Sequence, residues 1–415
     1  MRVERTQILI IGAGPSGAVA AGMLRQRGYD VMIVEKQTFP RFSIGESLLP
    51  QCMTFIEEAG MLQAVVQEGF QFKNGAAFAR GNHYTEFDFR EKFTSGWGTT
   101  YQVQRARFDH VLALEAQKQG ADLRFEHEVL AVDFADERPR IQITSSDTQE
   151  YTVECDFVLD ASGYGRVLAR LLNLEYPSNF PVRGALFTHI TDQIQLANPL
   201  FDRQKIRISV HPQHQDVWYW TIPFSNGRCS QGVVASADFL KCIEGNETQQ
   251  LRTLVQQEPG LSHLLEHAVW DTPARSIIGY SANVKSLHGK GFALLGNAGE
   301  FLDPVFSSGV TIALKSAHLA SQCLDRHLKG STVDWESDYA MPLKRGVDTF
   351  RVFVEGWYSG QFQDVVFHPN PSPQIKSMIS SILAGYAWDI KNPYVEQPQR
   401  RLTTLAQVSR QGTTH

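Results

Sequence analysis

The 415-residue chain is poor in cysteine, has no cluster of basic residues and contains no apolar run long enough to cross a bilayer. Its five cysteines are far apart and show no CxxC spacing, which predicts reduced thiols rather than a disulfide framework or a zinc knuckle. The net charge is −5, so a nucleic-acid partner is not expected. Together these absences predict a cytoplasmic protein without a transmembrane segment.

The first apolar stretch, residues 8–24, lies near the N-terminus, where a signal peptide would also lie. Glycines and Pro15 interrupt this stretch, and a second apolar run follows at residues 31–35. A strand, a glycine turn, a helix and a second strand explain both runs better than a signal peptide does. We therefore predict a βαβ unit at the start of the chain.

This unit carries the motif Gly12-x-Gly14-x-x-Gly17 between its strand and its helix, and Glu35 ends the second strand. Gly12 permits the tight turn, Gly14 lets a pyrophosphate approach the backbone, and Gly17 lets the helix pack on the sheet. The helix N-terminus then faces the phosphates, while Glu35 suits hydrogen bonds from ribose hydroxyls. Strand, helix and terminal acid together predict a dinucleotide site, and the motif alone leaves NAD and FAD both open.

The rest of the chain changes character along its length. Helices are predicted at 47–68, 105–119 and 309–328, and strands near 122–134, 139–144, 151–160 and 291. Several strand-like runs between residues 183 and 235 predict an antiparallel sheet. Beyond residue 330 we expect aromatic-rich helices and a polar tail from about residue 405.

Three later segments point to the cofactor. Residues 103–109 open a helix with a basic residue, residues 160–163 end a strand in a small-residue turn, and residues 296–304 follow another strand. With these segments the chain resembles the single-component flavin monooxygenase superfamily over most of residues 5–330. The GDxxxxxxP motif of that superfamily contacts the flavin ribitol. Asn297 stands where the motif usually has Asp, and it can still hydrogen-bond a ribitol hydroxyl.

The resemblance implies that FAD is the cofactor. It implies contacts to FAD from the glycine turn, the second strand and the later segments: Gly12, Gly14, Pro15, Ser16, Gly17, Glu35, Lys36, Arg41, Ser47, Arg105, Asp160, Asn297, Asp303 and Gly309.

It also implies an α/β fold, with a Rossmann-like FAD-binding domain, an inserted antiparallel β-sheet substrate domain and C-terminal helices. The predicted FAD-binding domain comprises residues 1–175, with a substrate-side segment near 70–100, and returns at 276–330. The sheet domain is predicted at 176–275 and the C-terminal helical region at 331–415.

Three further features resemble flavin-dependent halogenases of the phenol and pyrrole type. Residues 70–78 look like the segment that carries the active-site lysine, here Lys73. Residues 218–223 match the WxWxIP motif at every defined position, and residues 301–309 match the F-x-x-P-x-x-S-x-G motif. Together with the Gly-Glu-Ser of residues 45–47, these features favour that branch over the longer tryptophan enzymes.

The halogenase resemblance implies that reduced FAD and O₂ oxidise chloride or bromide to hypohalous acid. Lys73 is then the catalytic residue that guides or captures this acid, because an amine can donate a hydrogen bond or form a haloamine. Ser308 and Gly309 would bind the halide at the start of a helix, and Trp218 and Trp220 would separate flavin from substrate. No second GxGxxG motif is present, so a separate flavin reductase is expected to supply the reduced FAD.

The substrate expected from the resemblance is a small electron-rich aromatic. Tryptophan halogenases carry a Glu where this chain has Phe306, which argues against free tryptophan. A phenol, resorcinol or pyrrole, free or tethered to an acyl carrier, is expected instead. Three alternatives stay open: an FAD-dependent aromatic hydroxylase, an oxidoreductase resembling geranylgeranyl reductases, and a non-catalytic flavin-binding protein.

The candidate residues also have structural interpretations. Lys73 could be a solvated strand-end lysine, Trp218 and Trp220 could be core aromatics, and the Ser-Ser-Gly segment could be a helix cap. No metal site is expected, because His263 and His267 lack the HExxH pattern and a third ligand.

Overall fold

A computed structural model describes residues 2–195 and 198–411 of the chain. Its strands are β1 Arg2–Arg5, β2 Ile8–Ile11, β3 Val31–Glu35, β4 Gln71–Lys73, β5 Gly75–Arg80, β6 His83–Asp88, β7 Thr100–Gln102, β8 Asp122–Phe125, β9 His127–Asp133, β10 Arg140–Ser145, β11 Glu150–Glu154, β12 Phe157–Asp160, β13 Glu175–Tyr176, β14 Arg183–Thr191, β15 Lys205–Val210, β16 Trp218–Pro223, β17 Arg228–Ser236, β18 Arg275–Ile278, β19 Asn283–Val284, β20 His288–Gly289 and β21 Phe292–Leu294. Its α-helices are α1 Pro15–Arg25, α2 Gln51–Glu58, α3 Leu62–Gln67, α4 Arg105–Lys118, α5 Val167–Leu171, α6 Ala237–Lys241, α7 Glu247–Gln257, α8 Pro259–Leu264, α9 Ser308–Leu328, α10 Met341–Tyr358, α11 Gln361–Val366, α12 Pro373–Leu383, α13 Pro393–Glu396 and α14 Pro398–Gln411.

The predicted βαβ unit lies in a six-stranded sheet with the order β20-β21-β12-β2-β3-β8. Its strands are parallel except for the pair β20–β21. Strands β2, β3 and β12 are buried along their whole length, as expected for a parallel sheet covered on both faces. Helices α1 and α9 pack on one face, and the four-stranded sheet β1-β11-β10-β9 packs on the other. The predicted Rossmann-like α/β fold is therefore confirmed.

The predicted antiparallel sheet is present and extends beyond residues 183–235. It has seven strands in the order β18-β14-β17-β16-β15-β5-β6. One pair departs from the prediction, because β15 and β5 run parallel, with Lys205 opposite Gly75. All other pairs in this sheet are antiparallel. An alternating sequence pattern indicates a strand but not its partner, so it cannot predict this parallel pair. The domain boundaries themselves stay a prediction.

Strand β16 divides its side chains between two cores. Trp218 and Trp220 lie in the core shared with the six-stranded sheet, whereas Tyr219 lies in a second core with α7 and α8. The hydroxyl of Tyr219 donates to the carbonyl of Leu254 on α7 at 2.9 Å. The sheet therefore has one face covered by these helices and one aromatic face turned toward the βαβ unit.

Two predicted elements are each divided by a residue in the left-handed conformation. The helix predicted at 47–68 is two helices, α2 and α3, because Gly60 takes a φ of +70° just after α2. The strand predicted near 122–134 is also two, β8 and β9, because Glu126 between them has a φ of +61°. A left-handed residue ends the regular hydrogen bonding in each case.

The C-terminal region is helical as predicted. The prediction of a polar tail from about residue 405 is wrong for residues 405–411, which are helical. Residues through Gln411 belong to α14, in which Leu402 and Ala406 are buried four residues apart on one face. Residues 412–415 of the expected tail lie outside the described residues. Within residues 2–195 and 198–411, no helix has the length and hydropathy that a membrane span requires.

Candidate functional site

A cavity of about 720 Å³, which we call the central cavity, lies between the βαβ unit and the seven-stranded sheet. Its dinucleotide side comes from the glycine turn, the end of β3 and the loop that follows. Its sheet side comes mainly from Ala185, Ile206, Trp218, Trp220 and Ile222. The cavity opens at the carboxyl ends of β2, β3 and β12, which is where open α/β sheets bind ligands. Its volume is typical of a ligand or cofactor site.

The three motif glycines have different surroundings. Gly12 has a φ of +98°, and a Cβ there would lie 2.6 Å from the carbonyl oxygen of Ala161. A Cβ at Gly17 would lie 2.0 Å from the carbonyl oxygen of Gly12, so Gly17 packs the helix and does not line the cavity. A Cβ at Gly14 would meet only Arg41 Nη2 at 3.7 Å within the described residues. Gly14 thus leaves its backbone open to the cavity, as a bound pyrophosphate requires.

Glu35 lines the cavity at the end of β3 and is held in place by two backbone groups. Its Oε2 accepts from the N–H of Ala13 at 3.0 Å, and its Oε1 accepts from the N–H of Gln37 at 2.9 Å. Each carboxylate oxygen keeps a lone pair for a further donor such as a ribose hydroxyl. Lys36 also lines the cavity, and its Nζ lies 2.7 Å from Glu128.

Two predicted arginines line the dinucleotide side and share one carboxylate. Arg105 donates from Nε and Nη2 to the two oxygens of Asp109 at 2.7 and 2.9 Å, and from Nη1 to the carbonyl of Ile44 at 2.6 Å. Arg41 Nη1 lies 3.3 Å from Asp109. Two guanidinium groups against one carboxylate leave positive charge, which suits a phosphate group.

Asp160 is fully buried and is not among the residues that line the cavity. It accepts from the N–H of Ser162 at 2.9 Å and from the N–H of Leu168 at 2.7 Å, and burial raises the pKa of its carboxyl. The carboxylate therefore shapes the turn after β12, whose Ala161 and Ser162 do line the cavity. A direct contact of Asp160 with a cofactor stays a prediction.

The segment before α9 contributes several lining residues. Asn297 lies in the cavity wall within the short turn Gly296–Ala298. Ser307, with a φ of +57°, and Gly309 also line the cavity, whereas Ser308 is 2% exposed and does not. Because α9 has 21 residues and begins at Ser308, its unpaired N–H groups lie beside this wall.

Lys73 is completely buried, so its interpretation as a solvated strand-end lysine is wrong. Its Nζ donates to Ser47 Oγ and to the carbonyl of Leu48, both at 2.7 Å. Burial lowers the pKa of Lys73 to about 7. Lys73 does not line the central cavity, but Ser47 does, so one hydrogen bond separates the amine from the cavity wall.

Trp218 and Trp220 both line the cavity and both belong to the core, so the two interpretations of these residues are compatible. Their ring centroids are 6.0 Å apart. The indole of Trp218 donates to the hydroxyl of Tyr358 at 3.0 Å, and the indole of Trp220 donates to Ser230 Oγ at 3.0 Å. These bonds hold the two rings as a rigid aromatic wall.

A buried carboxylate network behind this wall was missed by the sequence reasoning. Asp303, predicted as a cofactor ligand, does not line the cavity and instead accepts from Tyr358 at 2.8 Å and Tyr280 at 3.2 Å. Burial raises the pKa of Asp303. The guanidinium of Arg183 lies 3.5 Å from the centre of the Tyr358 ring. The motif at residues 301–309 includes Asp303, but no local sequence pattern predicts that Tyr280 and Tyr358 are its hydrogen-bond partners.

The sequence analysis also missed a pair of contacting side chains where the loop after β3 meets the seven-stranded sheet. Glu46 Oε1 lies 2.6 Å from Nε2 of His189 on β14, and Glu46 lines the cavity. Glu46 belongs to the Gly-Glu-Ser segment noted in the sequence, but His189 lies far along the chain and carries no motif.

No group of three or more His, Cys, Asp or Glu side chains that could hold a metal ion occurs in the described residues. His263 and His267 are exposed, and each lies next to Glu266, at 3.4 and 3.2 Å.

Known proteins are similar in sequence to this chain along most of its length. Residues 5–340 match the FAD binding domain family. Tryptophan 2-halogenase of Chondromyces crocatus is 31% identical over 78% of this chain, which spans only 62% of that relative. The chlorinase of 1H-pyrrole-2-carbonyl peptidyl-carrier protein from Pseudomonas fluorescens is 26% identical over 95% of this chain and 92% of its own.

Solved structures share the fold. A flavoprotein/dehydrogenase from Cytophaga hutchinsonii is 43% identical, with a TM-score of 0.95 and coverage of 99% of this chain and 100% of its own. A flavin-dependent brominase is 23% identical, with a TM-score of 0.82 and coverage of 98% and 100%. The glycine turn, Glu35 and the arginine pair fit the dinucleotide part of FAD. The chain therefore belongs to the FAD binding domain family, and flavin-dependent halogenases are among its relatives.

Proposed function

We propose that this protein is an FADH₂-dependent halogenase that uses O₂ and chloride or bromide to halogenate an electron-rich aromatic. The observation that carries the proposal is the buried amine of Lys73, one hydrogen bond behind the cavity-lining Ser47. Halogenases acting on tryptophan and on carrier-bound pyrrole are similar to this chain and support the same activity. A phenol, resorcinol or pyrrole, free or carrier-tethered, is the proposed substrate.

Reduced FAD with O₂ supplies the oxidation of halide to hypohalous acid when the cofactor is bound. The chain's own contribution is an amine whose pKa, lowered by burial to about 7, leaves part of it neutral at neutral pH. A neutral amine can exchange a proton for halogen, whereas an ammonium cannot. Ser47 lies between this amine and the cavity, so it would pass or orient the oxidant on its way to Lys73.

The halide site of this proposal is the start of α9 at Ser308 and Gly309, where Gly309 lines the cavity and Ser308 is buried behind it. The N–H groups at the start of α9 carry partial positive charge and lack partners within the helix. Trp218 and Trp220 would keep the aromatic substrate away from the flavin while the oxidant reaches it through the protein.

Supply of reduced FAD by a separate flavin reductase is part of the proposal, because the chain has no second GxGxxG motif for a nicotinamide cofactor. A cytoplasmic location is also part of it and rests on the spacing of the cysteines and on their free thiols. The division into FAD-binding, sheet and C-terminal regions, with the boundaries predicted from the sequence, is also part of the proposal.

A second candidate is an FAD-dependent oxidoreductase that needs no halide. Two observations favour it: the relative with 43% identity is named a flavoprotein/dehydrogenase, and Lys73 does not reach the cavity surface. In this case Lys73 would only fasten the loop that carries Ser47 and Leu48. A product that is reduced or hydroxylated and carries no halogen would distinguish this candidate from the halogenase.

The test is a single-turnover reaction with FADH₂, O₂ and bromide on phenol, resorcinol and pyrrole substrates, with products measured by mass spectrometry. We expect Lys73→Ala and Lys73→Arg to lose halogenated product by about 10³-fold or more while flavin oxidation continues. Lys315→Ala is the matched control, because Lys315 is a largely buried lysine on α9 that does not line the cavity. Undiminished halogenation in Lys73→Ala contradicts the role of Lys73. Hydroxylated or reduced products without halogen in every protein contradict the halogenase proposal itself.

A further inference from the structure

Two cavity-lining groups next to the sheet side are hydrogen-bond acceptors: Glu46 on the loop after β3 and Tyr280 after β18. Glu46 lines the cavity, and in the described chain the one donor in contact with its carboxylate is His189, at Oε1. Its Oε2 is therefore free to accept. Tyr280 also lines the cavity, and its hydroxyl proton is directed to Asp303 at 3.2 Å. With that proton engaged, the Tyr280 oxygen can only accept a further hydrogen bond.

The cations that line the cavity lie on its dinucleotide side, and one of them, Arg105, lies with its Nη1 3.4 Å from the carbonyl oxygen of Gly45, next to Glu46. Arg41 and Arg105 pair with Asp109, and the two remaining lining cations, Lys36 and Arg170, lie beside Glu128 and Glu175. The cavity-lining residues of β14, β15, β16 and β18 are all uncharged: Ala185, Ile206, Trp218, Trp220, Ile222 and Ile277.

Three guanidinium groups lie near the sheet side, and none of the three lines the cavity. Arg275 lies 4.4 Å from the centre of the Phe42 ring, and Arg228 pairs with Asp271 and donates to the carbonyl of His189 at 3.2 Å. The third is Arg183. It stacks on the ring of Tyr358 and lies 3.6 Å from Asp216. Its charge is therefore directed at Asp216 and the Tyr358 ring and not into the cavity.

The surroundings of the Glu46–His189 pair are aromatic. The ring of His189 lies 5.7 Å from that of Phe42 and 5.1 Å from that of Phe224. Phe42 stacks with Phe187 at 6.1 Å. An apolar wall strengthens the effect of a carboxylate on any charged ligand, because little water screens it.

We infer that the cavity selects aromatic substrates that are neutral or cationic and that donate an O–H or N–H hydrogen bond to Glu46. A ring that carries a carboxylate would lose its hydration, face the charge of Glu46 and find no cation among the described residues that line the sheet side of the cavity. A phenol O–H or a pyrrole N–H would gain a charge-assisted hydrogen bond instead. This inference rests on the proposed function only in taking an aromatic molecule as the substrate.

The experiment measures equilibrium binding to the protein loaded with oxidised FAD by calorimetry, without reductant or halide. The first ligand pair is 4-hydroxybenzamide and 4-hydroxybenzoate, which differ in charge. The second pair is resorcinol and 1,3-dimethoxybenzene, which differ in hydrogen-bond donors. We expect the first member of each pair to bind at least about 10-fold more tightly.

The variant Glu46→Gln keeps the size of the side chain and removes its charge. We expect it to reduce the preference for the amide over the benzoate to within about 3-fold. Glu58→Gln is the matched control, since Glu58 pairs with His318 at the same 2.6 Å distance but outside the cavity. It should keep the full preference.

Wild-type protein that binds 4-hydroxybenzoate as tightly as the amide overturns the inference without reference to any variant. Unchanged selectivity in a Glu46→Gln protein with normal FAD content, or no binding of any of the four ligands, also overturns it. None of these measurements involves turnover, so a failure of halogenation leaves their outcome unaffected.

Discussion

Tyr358 donates a hydrogen bond of 2.8 Å from its hydroxyl to Oδ2 of Asp303. The same hydroxyl accepts the indole N–H of Trp218 at 3.0 Å. One side chain of α10 therefore fastens both the aromatic wall of the cavity and the segment that leads into α9. The C-terminal helices are in this way part of the site and not an appendage to it.

Tyr358→Phe should lower the free energy of unfolding by about 1–3 kcal/mol, because the variant leaves the Trp218 N–H buried without an acceptor. Urea unfolding followed by fluorescence measures this change. Tyr394→Phe is the control, since Tyr394 is a buried ring whose hydroxyl makes no hydrogen bond to another described residue. A loss of equal size in both variants would show that the network adds nothing.

Gly14→Val and Gly17→Val should fail in different ways. The Gly14 variant should fold with a nearly unchanged apoprotein Tm and lose FAD, because its side chain enters the space of the pyrophosphate. The Gly17 variant should not fold normally, because its Cβ would overlap the carbonyl of Gly12. Thermal unfolding of apoprotein and flavin absorbance after desalting measure the two effects. FAD retention in a folded Gly14 variant would contradict the cofactor position.

Glu35→Arg should weaken FAD binding at least about 10-fold more than FMN binding, because the adenosine ribose is the part of FAD expected at this carboxylate. Fluorescence titration of apoprotein with each flavin makes the comparison. Equal losses for FAD and FMN would mean that Glu35 only supports the turn through the N–H groups of Ala13 and Gln37.

Lys73 should make stability depend on pH above neutrality. The folded protein releases the Lys73 proton near pH 7, whereas the unfolded chain holds it up to the ordinary lysine pKa of 10.5. Between these values the unfolded state binds more protons, so folding becomes more favourable as pH rises. Lys73→Met lacks this effect, and the unfolding free energy of wild type minus variant should increase from pH 7 to 9.5. A difference that stays constant in urea unfolding over this range would contradict the lowered pKa.

Local patterns were sufficient to predict the dinucleotide side of the site. Gly12, Gly14 and Glu35 lie within one βαβ unit, where spacing along the chain determines spacing in space. Arg105 lies outside this unit, and its contact with the cofactor was predicted from the resemblance of residues 103–109 to the flavin monooxygenase superfamily.

The contacts of Lys73 and of Glu46 could not be predicted in the same way. The burial of Lys73 depends on the loop that brings Ser47 and Leu48 over β4, and the lowered pKa follows from that burial. The pairing of Glu46 with His189 depends on tertiary contact between elements far apart in sequence. Residue type and periodicity contain no information about such contacts, so both features required the structure.

The parallel pair of β5 and β15 has a consequence for how the protein folds. Strand β5, residues 75–80, can pair with β15 only after residues 205–210 have been synthesised, and the seven-stranded sheet is complete only when this pair has formed. Closing such a long loop costs chain entropy before the contacts compensate, so pairings of this kind form slowly. During synthesis the N-terminal βαβ unit leaves the ribosome long before β15 and β16 do. We therefore expect the dinucleotide side to form early and the aromatic wall to be among the last parts of the protein to assemble.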